Sequence, residues 1–334
     1  MEKILSISIA AYNAEKDIAN CLDSLIYSNV WKQLDIIVVN DGSKDHTAEI
    51  VQNYIEKYGQ SIRLVNKENG GHGSTINTSI KYACGKYYKI LDSDDWVNSE
   101  NLSRLVEFLE KTNADMVLNP YDEIAYDTRR KIRQLNPCEN NVSFEEIHRL
   151  DELDKTVLYM HSLTFRREII QKMGPIIDEN CFYVDMEYCI FPLLYVDSFA
   201  CLDYPVYQYL LGSQTQSMNM INMINRRNQH LKVIRRLVDF YNKYVNDLDV
   251  KVKENIALRV KYAIYNQYVI YLNMIPREAV KEIREFDGWL KKQSRELYDG
   301  PEGRVMRYIK INRKFGYALF VPTTFFLKKI GVLG

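Results

Sequence analysis

Three carboxylates stand within four positions at Asp92-Ser93-Asp94-Asp95, directly after the run Tyr87-Tyr88-Lys89-Ile90-Leu91. Like charges held this close repel one another. A divalent cation removes that cost. Mg2+ and Mn2+ prefer oxygen ligands and commonly bridge one or two carboxylates to substrate phosphates. A helix cap at Asp95 or Ser99 accounts for one acidic residue but not for three. The triplet therefore reads as a divalent-metal site.

Three further loops carry polar groups in a pattern that suits a phosphorylated ligand. Ala11-Tyr12-Asn13-Ala14-Glu15 follows the first apolar run, and Asn40-Asp41-Gly42-Ser43-Lys44-Asp45 follows the second. A carboxylate in such a turn can accept hydrogen bonds from a base or ribose, or it can simply form an Asx turn capping a helix that starts near His46. Asn69-Gly70-Gly71-His72-Gly73-Ser74 has three glycines in four positions. That composition allows a ligand close approach to the backbone, and a helix N-terminus behind it can face a diphosphate. The loop is neither a Walker loop nor Gly-x-Gly-x-x-Gly. His72 is either a phosphate contact or a loop histidine without a role.

These loops need strands to carry them. Runs rich in Ile and Val at about 4–11, 34–39, 62–66, 87–91 and 115–119 predict buried strands. Helical periodicity at about 15–27, 46–58, 74–84 and 99–111 alternates with them. This alternation predicts an α/β sandwich with a mostly parallel sheet, whose ligands bind outside the carboxyl ends of the strands. Tyr121 to Leu135 predicts a polar hairpin, and Ser143-Phe144-Glu145-Glu146 matches a capping box and predicts a helix start. Residues 185–195 read as helical, and 199–211 as a pair of strands. From about residue 223 the pattern is helical, near 223–245, 250–273, 276–294 and 302–312. The expected division is a catalytic domain over 1–220 and a helical region over 221–334.

Composition bounds the partners. The chain has 334 residues, with 44 Lys plus Arg against 44 Asp plus Glu. A neutral chain offers no overall electrostatic case for nucleic acid. Tyr outnumbers Phe by 25 to 12, which suits half-wet clefts as well as ordinary helical interfaces. Cys21, Cys84, Cys138, Cys181, Cys189 and Cys201 form no Cys-x-x-Cys pair, so reduced thiols of a cytoplasmic protein are expected. Ile4 to Ala11 reads as a buried first strand and not a signal sequence, because Met1-Glu2-Lys3 has almost no positive charge. No run reaches the roughly 20 apolar residues of a membrane span.

The ordered set Ala11-Tyr12-Asn13-Ala14-Glu15, Val39-Asn40-Asp41-Gly42-Ser43-x-Asp45, Asn69-x-Gly71 and Asp92-Ser93-Asp94-Asp95 resembles glycosyltransferase family 2. The resemblance is close over about 3–120, weaker to about 217 and vague beyond. It implies the GT-A nucleotide-diphospho-sugar transferase fold, here with a C-terminal helical extension, and non-processive inverting transfer. Tyr12 and Glu15 would then lie in the nucleotide pocket, with Asp41 on a uracil-type base and Asp45 nearby. Ala11, Asn13, Gly71, His72 and Ser93 would complete the donor site. Asp92 would contact ribose or metal, and Asp94 would coordinate the Mn2+ or Mg2+ bound to the diphosphate. Ala11 departs from the proline usual before the Tyr-Asn pair.

Inverting transfer also needs a carboxylate to deprotonate the acceptor hydroxyl. The family places it at a helix start that Phe182-Tyr183-Val184-Asp185-Met186-Glu187 matches, with Asp185 as base and Glu187 as the second candidate. The plain alternative is an N-terminal Asp and first-turn Glu that start a helix well. Asp95, His161 and Gln214 are candidates near the donor sugar or acceptor. The family's arginine in the strand at Tyr207 to Leu211 is replaced here by Leu210 and Leu211.

The expected partners are a UDP-linked sugar and a glycan or lipid-linked glycan. Near the C-terminus Arg304, Arg307, Lys310, Arg313, Lys314, Lys328 and Lys329 flank Phe315-Gly316-Tyr317-Ala318-Leu319-Phe320. Such a segment suits an anionic membrane surface at the inner face, and equally a docked helical tail or a homo-oligomer contact. Two other readings of the whole chain are a silent sugar-nucleotide-binding scaffold and a metal-dependent nucleotidyltransferase. The latter would want a basic, Gly-rich first loop, which Ala11-Tyr12-Asn13 is not.

Overall fold

The computed structural model describes residues 2–138, 142–153, 158–212 and 219–329. The chain divides into two units, Met1–Ser213 and Gln214–Gly334.

Among its described residues the first unit carries twelve strands: β1 (Leu5–Ala11), β2 (Leu34–Asn40), β3 (Ile62–Asn66), β4 (Tyr87–Asp92), β5 (Trp96–Val97), β6 (Met116–Leu118), β7 (Tyr121–Ala125), β8 (Lys131–Leu135), β9 (Ile147–Arg149), β10 (Leu163–Arg166), β11 (Ser198–Cys201) and β12 (Tyr207–Leu211). Its helices are α1 (Ile18–Ile26), α2 (Thr47–Tyr58), α3 (Gly71–Tyr82), α4 (Ser99–Lys111), α5 (Arg167–Met173) and α6 (Asp185–Ile190). Eight strands form one sheet in the order β3-β2-β1-β4-β10-β6-β11-β9. The first four are parallel, and β10 runs antiparallel to both of its neighbours. The apolar runs form the expected strands because burial favours them, almost fully in β1, β2 and β4 and partly in the edge strand β3: Ile7, Ile9, Leu34, Ile36, Val38 and Leu91 lie in one core with Leu22, Leu102 and Leu105 of the covering helices. Burying each such side chain contributes ~1.5–3 kcal/mol.

The serines alternating with isoleucines in β1 are also buried, and each has a partner. Ser6 donates to Asp35 Oδ2 at 2.6 Å, and Ser8 donates to Ser79 Oγ at 2.7 Å. Buried polar groups paired in this way avoid the desolvation cost of an unmet hydrogen bond.

A second sheet, in the order β5-β12-β7-β8, stands beside the first. The hairpin expected over 121–135 is the antiparallel pair β7–β8. The two strands expected over 199–211 form, but they do not pair with each other: β11 joins the large sheet and β12 the small one. No helix starts at Ser143. Ser143 Oγ donates to Glu146 Oε2 at 2.5 Å, side chain to side chain and not through the backbone N–H groups of a capping box, while Phe144 bridges Cys201 and the chain continues into β9. Edge pairing with β11 thus wins over the local capping signal.

Cys138 is bonded to Cys201, which corrects the expectation of six free thiols. The pair lies 63 residues apart in sequence. Only the meeting of the segment after β8 with the end of β11 brings the two together.

The second unit is helical: α7 (Met220–Asn225), α8 (Arg227–Tyr244), α9 (Val250–Asn273), α10 (Pro276–Gln293), α11 (Arg295–Asp299), α12 (Arg304–Lys314) and α13 (Phe320–Lys329). A buried ion pair and its tyrosine partners tie four of them, α9 to α12. Asp287 accepts from Arg313 at 3.0 Å, from the Tyr298 hydroxyl at 3.2 Å and from the Tyr268 hydroxyl. The Arg313 guanidinium also lies 3.6 Å over the Tyr298 ring. No helix among the described residues is long and apolar enough to cross a membrane.

Candidate functional site

The register of the parallel strands puts the four chemistry-bearing loops in one row. Ala11 is level with Asn40, Asn40 with Asn66, and Ala10 with Asp92. The chain therefore leaves the sheet at neighbouring points, at the carboxyl edge where α/β sheets bind ligands.

The loops after β1 and β2 fasten each other. Asn13, at φ 51, accepts from Lys44 N at 2.8 Å, and its own N–H donates to Ser43 Oγ at 3.0 Å. Glu15 N–H donates to Asp45 Oδ2, and Glu15 Oε2 accepts from His46 N. Asp45 also accepts from the Thr47 N–H and hydroxyl. Slight burial opposes ionisation, but these hydrogen bonds prevail and hold the Asp45 carboxyl below the usual carboxylate range. Asn13, Glu15 and Asp45 thus lock the two loops to each other, while Tyr12 is 54% exposed and Ala11 is buried.

Asp41 is buried and anchors the glycine loop. Its carboxylate accepts from Gly70 N at 2.9 Å, from Gly71 N at 2.8 Å and from Lys67 Nζ at 2.8 Å. Its carbonyl accepts from Asn69 Nδ2. Direct contact with a base would have to exchange these bonds. Gly71 takes φ +78, a left-handed conformation that glycine adopts without steric cost, and it starts α3.

At the end of β4 the three aspartates separate by environment. Asp95 is fully buried. It accepts from the Tyr207 hydroxyl at 2.6 Å and from Leu210 N at 2.7 Å, which locks it to β12. Burial, then repulsion by Asp94 and Asp92, pushes its carboxyl well above the usual range. Asp94 reaches solvent. Crowding by the surrounding protein and the nearby Asp92 raise its pKa to about 6. Asp92 lies 3.4 Å from His72 Nε2, so the glycine loop and the acidic triplet meet. Cys21 lies behind them, its thiol contacting the Asp92 carbonyl, and burial next to the three carboxylates pushes its pKa far up.

Donor atoms of Asp92, Asp95 and His161 lie within 4.8 Å of one another. The imidazole is held neutral: burial, then Lys89 and His72, lower its pKa to about 3. Its Nδ1 is buried and has no hydrogen-bond partner among the described residues. A neutral imidazole and an ionised carboxylate are what a divalent cation requires, and His161 and Asp92 offer these atoms, whereas Asp95 would have to give up a proton to join them. The cluster brings Asp95 and His161 to Asp92, where the sequence pointed to Asp92 with Asp94. His161 is held by an aromatic frame, stacked on Tyr209 at 4.1 Å and edge-on to Tyr207 at 4.7 Å. Its backbone is held by Lys89, which donates to His161 O at 2.8 Å and to Leu163 O at 3.1 Å. Burial lowers the Lys89 pKa to about 7. Lys67, Lys89, Tyr207 and Tyr209 escape sequence reasoning. A lysine inside a strand-like run was the one available signal.

Asp185 stands at the start of α6, as expected, and is partly buried. Its carboxylate and those of Asp95, Asp92 and Asp94 all act on the Tyr209 hydroxyl, whose pKa burial raises first. Asp185 therefore lies near enough to Tyr209 for its charge to be felt there, as do the three aspartates of the triplet. Glu187 is fully buried, and its Oε2 accepts from Asp178 N at 2.8 Å, so it holds the segment leading into α6. That segment is also pinned to α3: Asn180 N donates to Gly70 O at 2.6 Å, and Asn77 donates to Ile177 O and accepts from Ile177 N. Gln214 lies outside the described residues.

The tight seam gives a prediction. A Cβ on Gly73 would sit 2.0 Å from the Asp178 carbonyl oxygen. Gly73→Ala is expected to force α3 and the 177–181 segment apart, costing ~1–3 kcal/mol as an overpacked contact does. A thermal melt will show it as a lowered Tm, and an unchanged Tm would mean the seam is loose.

Comparison with known proteins places this geometry. A model of the family described as "Glycosyl transferase family 2" matches residues 6–174. The uncharacterized glycosyltransferase EpsJ of Bacillus subtilis is 29% identical over 249 residues, covering 73% of this chain and 71% of that protein. The poly(ribitol-phosphate) beta-N-acetylglucosaminyltransferase TarS of Staphylococcus aureus is 32% identical over 114 residues, but these cover 34% of this chain and 20% of TarS. In structure, residues 1–349 of S. aureus TarS in complex with UDP superpose with a TM-score of 0.61 at 16% identity, covering 94% of this chain and 92% of that one. The mannosyltransferase PcManGT of Pyrobaculum calidifontis, in complex with GDP-Man and Mn2+, superposes with a TM-score of 0.53 at 15% identity, covering 94% and 88%. The structural likenesses carry the GT-A fold, and the family model extends over half of the chain. Four aligned strand-end loops, the acidic triplet and this match together make the chain a member of glycosyltransferase family 2.

Proposed function

We propose that this protein catalyses inverting transfer of a hexosyl or N-acetylhexosaminyl group from a UDP-sugar to a glycan or lipid-linked glycan. Asp185 serves as the base, and the triplet at the end of β4 holds Mn2+ or Mg2+. The observation that supports the reading is that the segment leading into Asp185 is pinned to the Gly70 loop and α3, while His72 of that loop meets Asp92. The two groups that inverting transfer needs, a metal-binding cluster for the leaving diphosphate and a carboxylate for the acceptor hydroxyl, are thereby tied to the same glycine loop. When bound, the cation would neutralise charge developing on the diphosphate. Asp41 serves this site by tying down the Gly70-Gly71-His72 turn through the Gly70 and Gly71 N–H groups, which fixes the start of α3. A UDP-linked donor is supported by the solved complexes of TarS with UDP and with UDP-GlcNAc. We place the enzyme in the cytoplasm, where sugar nucleotides are made, and at the inner face of the membrane when its acceptor is lipid-linked.

Thermal-shift measurements against UDP-, GDP- and dTDP-sugars, each with and without Mn2+, test the reading. A ligand at 100 times its Kd stabilises a native protein by about 2.7 kcal/mol, a rise of a few degrees. The expected result is a rise with UDP-sugars that depends on Mn2+. A rise with another nucleotide alone moves the donor class, and no rise with any of them favours a scaffold without donor binding.

A further inference from the structure

We propose that the turn joining α12 to α13 is a membrane-docking tip that binds the surface of an anionic lipid bilayer. The two helices fold back on each other. The Tyr308 hydroxyl meets Thr323 Oγ1 and Thr324 Oγ1, each at 2.7 Å, and its ring lies 6.0 Å from that of Phe320. The chain reverses at Gly316 and Tyr317, at φ 55 and φ 61, and Tyr317 N donates to Asn312 O at 2.8 Å. Tyr317 and Phe320 are buried, so they hold the turn. Phe315 and Leu319 are not: they are 55% and 45% exposed, and Ile311, one helical turn before Phe315, is 54% exposed.

Cations border this apolar tip. Arg307, Lys310 and Lys314 are exposed and lie on the same side of α12 as Ile311 and Phe315, by the three- and four-residue spacing of a helix face. Arg304 is exposed one turn further back. Arg313 points the other way and is taken up by Asp287. From Gly303 to Gly334 the chain has seven Lys or Arg residues and no Asp or Glu. A chain neutral as a whole thus gathers positive charge, of which only Arg313 is shown paired among the cations of α12, beside exposed aromatic and aliphatic groups. A protein partner would answer such a face with a shaped acidic surface of its own. The charge pattern here is one-signed and repetitive, flanking a small apolar point, and that matches the negative surface and shallow apolar depth of an anionic leaflet. The inference takes up the lipid-linked form of the acceptor proposed above and supplies the contact that would bring the enzyme to it.

Vesicle co-sedimentation of the full chain tests this without donor or acceptor, so it can fail independently of the transferase reading. Each cation near an anionic leaflet strengthens partition roughly fivefold, so four of them amount to several hundredfold. Binding is expected to vesicles of phosphatidylglycerol mixed with phosphatidylcholine, to weaken in high salt, and to be lost with phosphatidylcholine alone. F315E/L319E and R307Q/K310Q/K314Q are each expected to lower binding at least tenfold with Tm unchanged, since all five side chains are exposed. Absent binding to the anionic vesicles, or wild-type binding by both variants, overturns the proposal. So does light scattering showing an oligomer that F315E/L319E dissolves while vesicle binding is unaffected, because the tip is then a contact between copies of the chain.

Discussion

Asp94→Ala is expected to abolish metal-dependent turnover of the sugar nucleotide, with a fall in kcat/KM of about a thousandfold or more. Removing one group that stabilises charge in a transition state typically costs 10²–10³, and a metal supplies several kcal/mol of such stabilisation. Asp94 is the most exposed member of the triplet, whereas Asp95 is already bonded to Tyr207 and Leu210. Desolvation first and Asp92 second raise the Asp94 carboxyl to about 6, and a cation bound there would favour the ionised form. A proton competes with the cation for this group, so the apparent Mn2+ affinity should fall as pH drops through about 6. The fold has no stake in the ionised form. A carboxyl whose folded pKa lies above its unfolded value opposes folding once it is charged, so the alanine variant should melt no lower than wild type at neutral pH. Steady-state assays across Mn2+ concentrations, with a melt as control, check all three expectations. Undiminished turnover would refute the assignment of Asp94 and shift it to the Asp92, Asp95 and His161 cluster.

Asp185→Asn is expected to bind donor with near-normal affinity and yet to lose transfer by a factor of about 10²–10⁴, the range general-base catalysis contributes. Asparagine keeps the shape and hydrogen-bonding reach of the side chain. It removes the basic oxygen, together with a charge at the start of α6 worth ~0.3–1 kcal/mol to the helix. Calorimetry with UDP and Mn2+ separates binding from chemistry, and an assay with acceptor measures the transfer. Lost binding would make Asp185 a pocket residue and place the base elsewhere. Glu187 is a poor replacement, because it is fully buried and its carboxylate holds the Asp178 backbone.

The strands of the nucleotide-side half were legible because each is a short apolar run between turn residues. β1 to β4 and β6 fall within a residue or two of the runs that predicted them. The helices α2 and α4 were equally plain, since their apolar faces repeat at helical spacing. The capping box at Ser143 misled, because a local signal of about 1 kcal/mol is outweighed by pairing at a sheet edge. The separation of β11 from β12 into two sheets left no trace in composition.

At the candidate site, the types and order of the polar groups at the strand ends were a property of the sequence alone. Asp41, the Gly70-Gly71-His72-Gly73 turn and Asp92 to Asp95 each follow an apolar run, and parallel strands deliver their ends to one edge. The division of labour among those groups was decided only by the tertiary structure. Asp41 and Asp95 carry the same carboxylate as Asp94. One is enclosed by the glycine loop and the other by β12, so they organise the pocket while Asp94 stays open to solvent. His161, Tyr207 and Tyr209 come from distant segments and meet Asp92 through a strand inserted out of chain order and a second sheet. A carboxylate's chemistry is local, but its pKa and its partners are set by what surrounds it, and burial by remote residues is information that spacing along the chain does not contain.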